Sequence, residues 1–389
     1  MIKPQFQSKW VILSSAWLIY FAFGIIHSPF APLVTPIMSD LNLTYTQVGL
    51  ISGSWPLIYI FSAYPLGLLI DRIGVKKSLS LGVFIISLSS LLKIFSTDFY
   101  SLFLFTALFG IGGPLISIGL PKFIGMSFKG KERKTGAGIY VSGNIMGSVT
   151  GLALTNLLLP IVGSWRMIFF WYSMFSFAVC FISLVIVPHP KFKSQTTSLM
   201  KMKDVKHILR LKKVWVVLLI GIVHFFLGHG IDNWLPKILE YKGFDIITVG
   251  FIASVGTFSA IFGSILLSKL TTYINKIYVL AIILSTCSLS IILFYFVNNF
   301  FVILPIFILG FALGGLMPIL LVTLIDIPEI GLKNIGGVIG LFFAVGEIGG
   351  FLGPFIVGFL RDMTGSFLPG LLALSISSFS MIFFLKIIK

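Results

Sequence analysis

The chain has 389 residues, of which 57% are hydrophobic, 15% aromatic and only 10% charged, and its formal net charge is +16. A soluble domain carries about 25% charged residues, so most of this surface is not made to face water, and a cytosolic globular enzyme is excluded. A membrane-spanning helix takes roughly 20 apolar residues, and twelve with short connections use about 300, which this length accommodates.

Apolar runs of spanning length fall at 10–38, 47–70, 78–96, 99–127, 136–162 and 165–187. The first follows Lys3 and Lys9 like a signal peptide, but it has no small-residue cleavage site and reads as a retained helix. Next comes the only long polar stretch, opened by Pro188 and Pro190 and rich in lysine. Six further runs follow at 213–240, 247–270, 276–297, 300–326, 333–360 and 366–387. The expected fold class is therefore all-α: twelve transmembrane helices in two six-helix bundles, 1–187 and 213–389, joined by a linker at 188–212.

Basic segments near helix ends stay in the cytoplasm. With the N-terminus inside, 22 of the 28 Lys and Arg residues fall on the inner side, so both termini are expected in the cytoplasm of a cell-membrane protein. The positive charge then answers to the lipid bilayer and not to nucleic acid. Cys180 and Cys287 lie apart inside apolar runs and match no metal-ligand spacing, so neither a metal nor another cofactor is expected.

The halves repeat. Val48-Gly49 matches Val249-Gly250 at an offset of 201, Gly112-Gly113 matches Gly314-Gly315 at 202, and Gly143 and Gly147 match Gly346 and Gly350 at 203. Correspondences this close to one offset argue for duplication, and in parallel-repeat transporters the substrate site lies near mid-membrane where the repeats meet.

Between the second and third runs the chain reads Gly67-Leu-Leu-Ile-Asp71-Arg72-Ile-Gly74-Val-Lys76-Lys77. Gly67 would let a neighbouring helix approach, and Asp71 would face a positive helix end. This string resembles the loop signature of the major facilitator superfamily. Gly110-Ile-Gly112-Gly113-Pro114, Ser164-Trp165-Arg166 and Gly349-Gly350-Phe-Leu-Gly353-Pro354 carry the resemblance over nearly the whole chain. Gly228-His229-Gly-Ile-Asp232-Asn233-Trp234-Leu-Pro236, with Leu120-Pro121-Lys122, is most similar to the prokaryotic cyanate-porter-like branch. The resemblance implies a gating role for Gly67, Asp71, Arg72 and Gly74, and a cavity lined by the first, fourth, seventh and tenth helices. The second-half counterpart, Gly263 to Lys276, lacks the Asp-Arg pair, and Thr106 stands where many members carry an arginine. Neither a second latch there nor that arginine's role transfers.

Ionisable groups in hydrocarbon are expensive and are functional candidates by default. His27, Lys122, His224, His229, Asp232, Asn233 and Trp234 are the substrate-cavity candidates. His229 and Asp232, three residues apart, share a helix face. Glu347 sits about 21 Å along its helix, near mid-membrane, with no obvious basic neighbour. It and Asp232 are the proton-coupling candidates. The alternatives are structural: a glutamic acid bonding two helices, histidines satisfied in the core, and Lys122 snorkelling to the inner headgroups.

The expected function is a monomeric secondary transporter that moves a small solute by alternating access with protons, a small organic anion or polar metabolite being favoured. The alternatives are a multidrug efflux carrier and a sensor or partner subunit of the same fold. No phosphate-binding loop, His-Glu-x-x-His or Gly-x-Ser-x-Gly string is present, so no enzyme is expected.

Overall fold

The computed structural model describes residues 9–186, 208–331 and 335–387. Every regular element among them is helical, and twelve segments are long and apolar enough to cross a membrane. In chain order these are α1 (Lys9–Phe30), α2 (Tyr45–Ile73), α3 (Val75–Phe95), α4 (Phe99–Ser127), α5 (Thr135–Val162) and α6 (Trp165–Val185). They continue with α7 (Lys212–Tyr241), α8 (Ile246–Leu270), α9 (Lys276–Phe296), α10 (Asn299–Ile325), α11 (Gly336–Thr364) and α12 (Leu368–Ile387). Most of the expected linker, residues 188–207, lies outside the described residues.

The first apolar run departs most from its expected extent. After α1 the chain turns at Ala31–Leu33 and starts a separate short helix, Val34–Leu41. Pro29 and Pro32 bring no amide donor to this stretch, and each biases the residue before it away from helical geometry.

Packing divides the chain into two compact units: Met1–Pro29 with Phe61–Thr196, and Phe30–Ile60 with Thr197–Lys389. The division also cuts α2, which is one continuous helix. Its residues up to Ile60, with the short helix before them, belong by contact to the unit containing α7–α12, and those from Phe61 to the unit containing α1.

In the first unit, glycines bring α1 and α5 backbone to backbone. A Cβ on Gly147 would lie 3.0 Å from the carbonyl carbon of Phe21 and 3.1 Å from Ile25 N, so any larger residue forces the helices apart. Between α3 and α6, serine hydroxyls bridge: Ser80 to Ser183 at 2.8 Å, Ser87 to Ser176 at 2.6 Å, and Ser90 Oγ to the Phe169 carbonyl at 3.1 Å. Each such bond contributes about 0.6 kcal/mol between membrane helices.

The second unit repeats this arrangement. Glycines close α7 on α11, where a Cβ at Gly349 would lie 2.8 Å from Phe226 N. Ser288 and Ser375 bridge α9 and α12 at 2.7 Å, and Ser378 donates to the Leu284 carbonyl at 2.9 Å. In each unit, then, the first and fifth helices of the half meet through glycine and the third and sixth through serine.

Acidic caps start two of the spans. Asp98 accepts from Ser101 N at 2.8 Å at the head of α4, and Asp245 accepts from Thr248 N at 3.0 Å and Ile247 N at 3.1 Å at the head of α8. Bonds from Ser101 hold the Asp98 carboxyl below its ordinary range, and bonds from Thr248 do the same for Asp245.

Candidate functional site

In the first unit the 67–74 motif closes α2 and opens α3. Gly74 has φ +86°, a conformation that L side chains rarely adopt, and its amide bonds back to the Ile70 carbonyl at 3.0 Å. Gly67 makes no close approach: the nearest atom to a Cβ placed there is Ile118 Cδ1 at 4.0 Å. Asp71 is ion-paired with Lys122 of α4, both side chains being part-buried, and Arg72 is exposed. Lys122, expected either in the cavity or among headgroups, thus meets the motif's acid within the first unit. His27 on α1 is partly exposed, with its ring 5.8 Å from that of Phe109.

Lys93, which the sequence reading did not single out, is only 3% exposed, with its Nζ 4.9 Å from the centre of the Phe169 ring. Among the described residues, the acids of this unit are Asp71, Asp98 and Glu132, and all have other partners: Lys122, Ser101 and Lys9. Lys93 is left as a buried amine without a carboxylate partner among the described residues.

In the second unit three helices converge on Glu347. This residue is 4% exposed, and its Oε2 lies 3.8 Å from His229 Nε2 of α7. The sequence reading allowed it no basic neighbour. The structure corrects this, because the turn of α7 that carries His229 packs against the Glu347 turn of α11. At 3.8 Å the pair exceeds hydrogen-bond length, and Oε2 accepts no hydrogen bond among the described residues. Gly350, one turn on, leaves room for the carboxylate: a Cβ there would fall on Oε2 and lie 3.2 Å from both His229 Nδ1 and Pro56 Cβ. The His229 ring is stacked on Trp55 of α2, with centroids 5.2 Å apart and planes at 29°, and Phe225 also meets it edge-on at 5.8 Å.

The remaining α7 candidates separate by exposure. Asp232 is exposed, although its neighbours Ile231, Asn233 and Trp234 are buried. A carboxylate presented from within a spanning helix is costly to leave in hydrocarbon and requires a polar or wet environment. Asn233 donates to the His229 carbonyl at 2.8 Å. Trp234 is 1% exposed and donates to the Pro354 carbonyl at 2.9 Å, so it belongs to the α7–α11 packing. His224 is partly exposed, and its Nδ1 is buried without a hydrogen bond.

Motif reading missed a further contact at the end of α11. Asp362 accepts from Tyr45 N at 3.1 Å, Thr46 N at 2.6 Å and Thr46 Oγ1 at 2.5 Å, capping the start of α2. Arg361 lies over the rings of Tyr45 and Tyr241 at 5.1 Å and of Phe367 at 5.2 Å. An Arg-Asp pair at a helix end was the available signal.

The sequence profile of the Major Facilitator Superfamily matches residues 15–354. The uncharacterized transporter YycB of Bacillus subtilis is 23% identical over 370 residues, covering 94% of this chain and 89% of its own. The probable galactarate/D-glucarate transporter GudP of the same organism is 25% identical over 384 residues, covering 85% and 81%. Its hexuronate transporter is 24% identical over 357 residues, covering 85% and 83%. Among solved structures, a bacterial homolog of the human lysosomal transporter Spinster, inward-facing and unoccupied, matches with a TM-score of 0.75 at 18% identity, covering 100% of this chain and 96% of that one. That likeness is one of fold.

Proposed function

The chain belongs to the major facilitator superfamily, and from that premise we propose that it carries a small polar organic acid across the cell membrane by alternating access, coupled to protons at Glu347. Membership makes it a multi-pass membrane transporter and not an enzyme. The finer reading rests first on Glu347: a carboxyl buried at mid-span beside an imidazole is a group whose proton occupancy depends on whether water reaches it. Asp232, exposed on the same helix as His229, is the second proton site.

Two observations support an anionic solute. Relatives aligned over most of this chain are named for aldaric and uronic acids. In the first unit, the buried Lys93 has no carboxylate partner among the described residues. We assign the moving bodies to the halves 1–187 and 213–389 joined by 188–212, working as a monomer with both termini in the cytoplasm. The charge bias supports that orientation, and a cysteine introduced at Asn298 should react only with an impermeant reagent added outside. Reaction from the cytoplasmic face instead excludes the topology.

The deciding experiment uses purified protein in proteoliposomes, with labelled D-glucarate, D-galactarate and D-glucuronate. A gradient of one pH unit supports up to about ten-fold accumulation per coupled proton. Glu347→Gln should keep counterflow and lose this accumulation. Full accumulation by the variant removes Glu347 from coupling, and transport of tetraphenylphosphonium with no acid transported makes the protein a drug carrier.

A further inference from the structure

Trp55 took no part in the motif reading, yet it forms one wall of the His229–Glu347 pair. Trp55 is 7% exposed and its ring is stacked on the imidazole, while Pro56 abuts the turn at Gly350. Phe225 meets the same imidazole edge-on, and the imidazole Nε2 is the ring nitrogen 3.8 Å from Glu347 Oε2. Among the described residues α10 has no ionisable side chain, α12 has only Lys386 at its far end, the portion of α2 in this unit has Tyr45 and Tyr59, and the short helix before it has Asp40. On α7, His224 lies over a turn below, and Asp232 and Lys237 lie toward the outer end. On α11, the nearest are Arg361 and Asp362, at its far end.

The helix that carries Trp55 distinguishes it from ordinary core. Trp55 belongs by contact to the second unit, but from Phe61 the same unbroken helix belongs to the first. His229 and Glu347 sit on α7 and α11, which are packed together through glycine wholly within the second unit. In the alternating access proposed above, movement of α2 with the first half would withdraw the indole, while the imidazole and carboxylate would stay together on α7 and α11.

We propose that Trp55 is the positioning residue and movable cover of the His229–Glu347 pair, so that displacement of α2 is the step that admits water to it. This deepens the proton-coupling reading and rests on it. Stacking fixes the imidazole against the carboxylate, and the indole's apolar bulk keeps the pair dry. Removing the cover lets protons exchange with bulk water without solute movement.

The test uses the full-length protein and needs no substrate. Diethylpyrocarbonate acylates exposed imidazole, and peptide mass spectrometry reads His229 and His224 separately. Trp55→Ala should raise the labelling rate at His229 about ten-fold, as expected for loss of local protection, and leave His224 near its starting rate. Trp55→Phe, which restores an aromatic face, should return His229 to the slow rate. Unchanged labelling of His229 in folded Trp55→Ala overturns the cover, as does equal acceleration at both histidines, which marks general loosening. In pyranine-loaded proteoliposomes given a pH jump, Trp55→Ala should leak protons, and Trp55→Ala with Glu347→Gln should not. Fast His229 labelling without a leak sustains the cover and overturns the coupling reading beneath it.

Discussion

Asp71 and Asp362 hold the same place in the same spacing, Gly-x-x-x-Asp-x-x-Gly: Gly67 to Gly74 at the end of α2 and Gly358 to Gly365 at the end of α11. Both closing glycines take positive φ, +86° and +72°, and both return their amide to a carbonyl four residues back, at 3.0 and 2.9 Å. The partners of the two acids differ. Asp71 meets a single flexible lysine, with both side chains part-exposed, whereas Asp362 takes three donors at a helix start, two of them backbone amides fixed in direction. The opening glycines differ in parallel. Gly67 has open space around it, while a Cβ on Gly358 would stand 2.9 Å from both Trp234 Cζ2 and the Tyr45 carbonyl carbon. One local design thus serves as a loosely held charge contact in the first unit and as a close-packed helix cap in the second.

Substitution at the opening glycines should separate the two most widely. Gly358→Ala overpacks the Tyr45 and Trp234 contact and should cost about 1–3 kcal/mol, read as a fall in thermal stability in detergent. Gly67→Ala should stay within about 0.5 kcal/mol. Equal losses at both positions would erase the distinction in packing.

The acids come next in size. Asp362→Ala removes a helix cap and should cost about 1–2 kcal/mol, with hydrogen exchange rising at Tyr45 to Val48 and little change in α4. Asp71→Asn should cost under about 1 kcal/mol, as for other part-exposed ion pairs, and that difference should shrink as salt is raised. Its larger effect should be on transport rate, as the gating resemblance implies. A transport rate equal to wild type would leave Asp71 a topogenic charge alone.

The comparison also marks how far the chain could be read before it was folded. The Asp71 copy was legible because a basic loop surrounds it. The Asp362 copy was not, because its string contains only one basic residue and its partners, Tyr45 and Thr46, lie 317 and 316 positions away. Glu347 was legible as a costly charge in an apolar run, while His229 was visible only as a separate candidate. The break after α1 could be anticipated from its prolines, although the apolar run continues through it. Asn233 and Trp234 carried the same signal as Asp232, and only burial separates the two that pack from the one that is exposed.

By itself the sequence determined the twelve spans, the internal repeat, the charge bias and Glu347 as a costly charge inside a span. A hydrocarbon environment acts residue by residue, and every span must satisfy its own backbone and exclude charge, so these features are written locally. The tertiary structure alone decided which of those groups meet: Glu347 with His229 under Trp55, Asp71 with Lys122, Asp362 with the start of α2. It also decided that α2 divides its contacts between the two units. Helix pairing in a membrane depends on close backbone approach at small residues, and with 39 glycines in the chain many pairings are locally permitted. The assembled packing selects among them, and the partners of each charge follow from that selection.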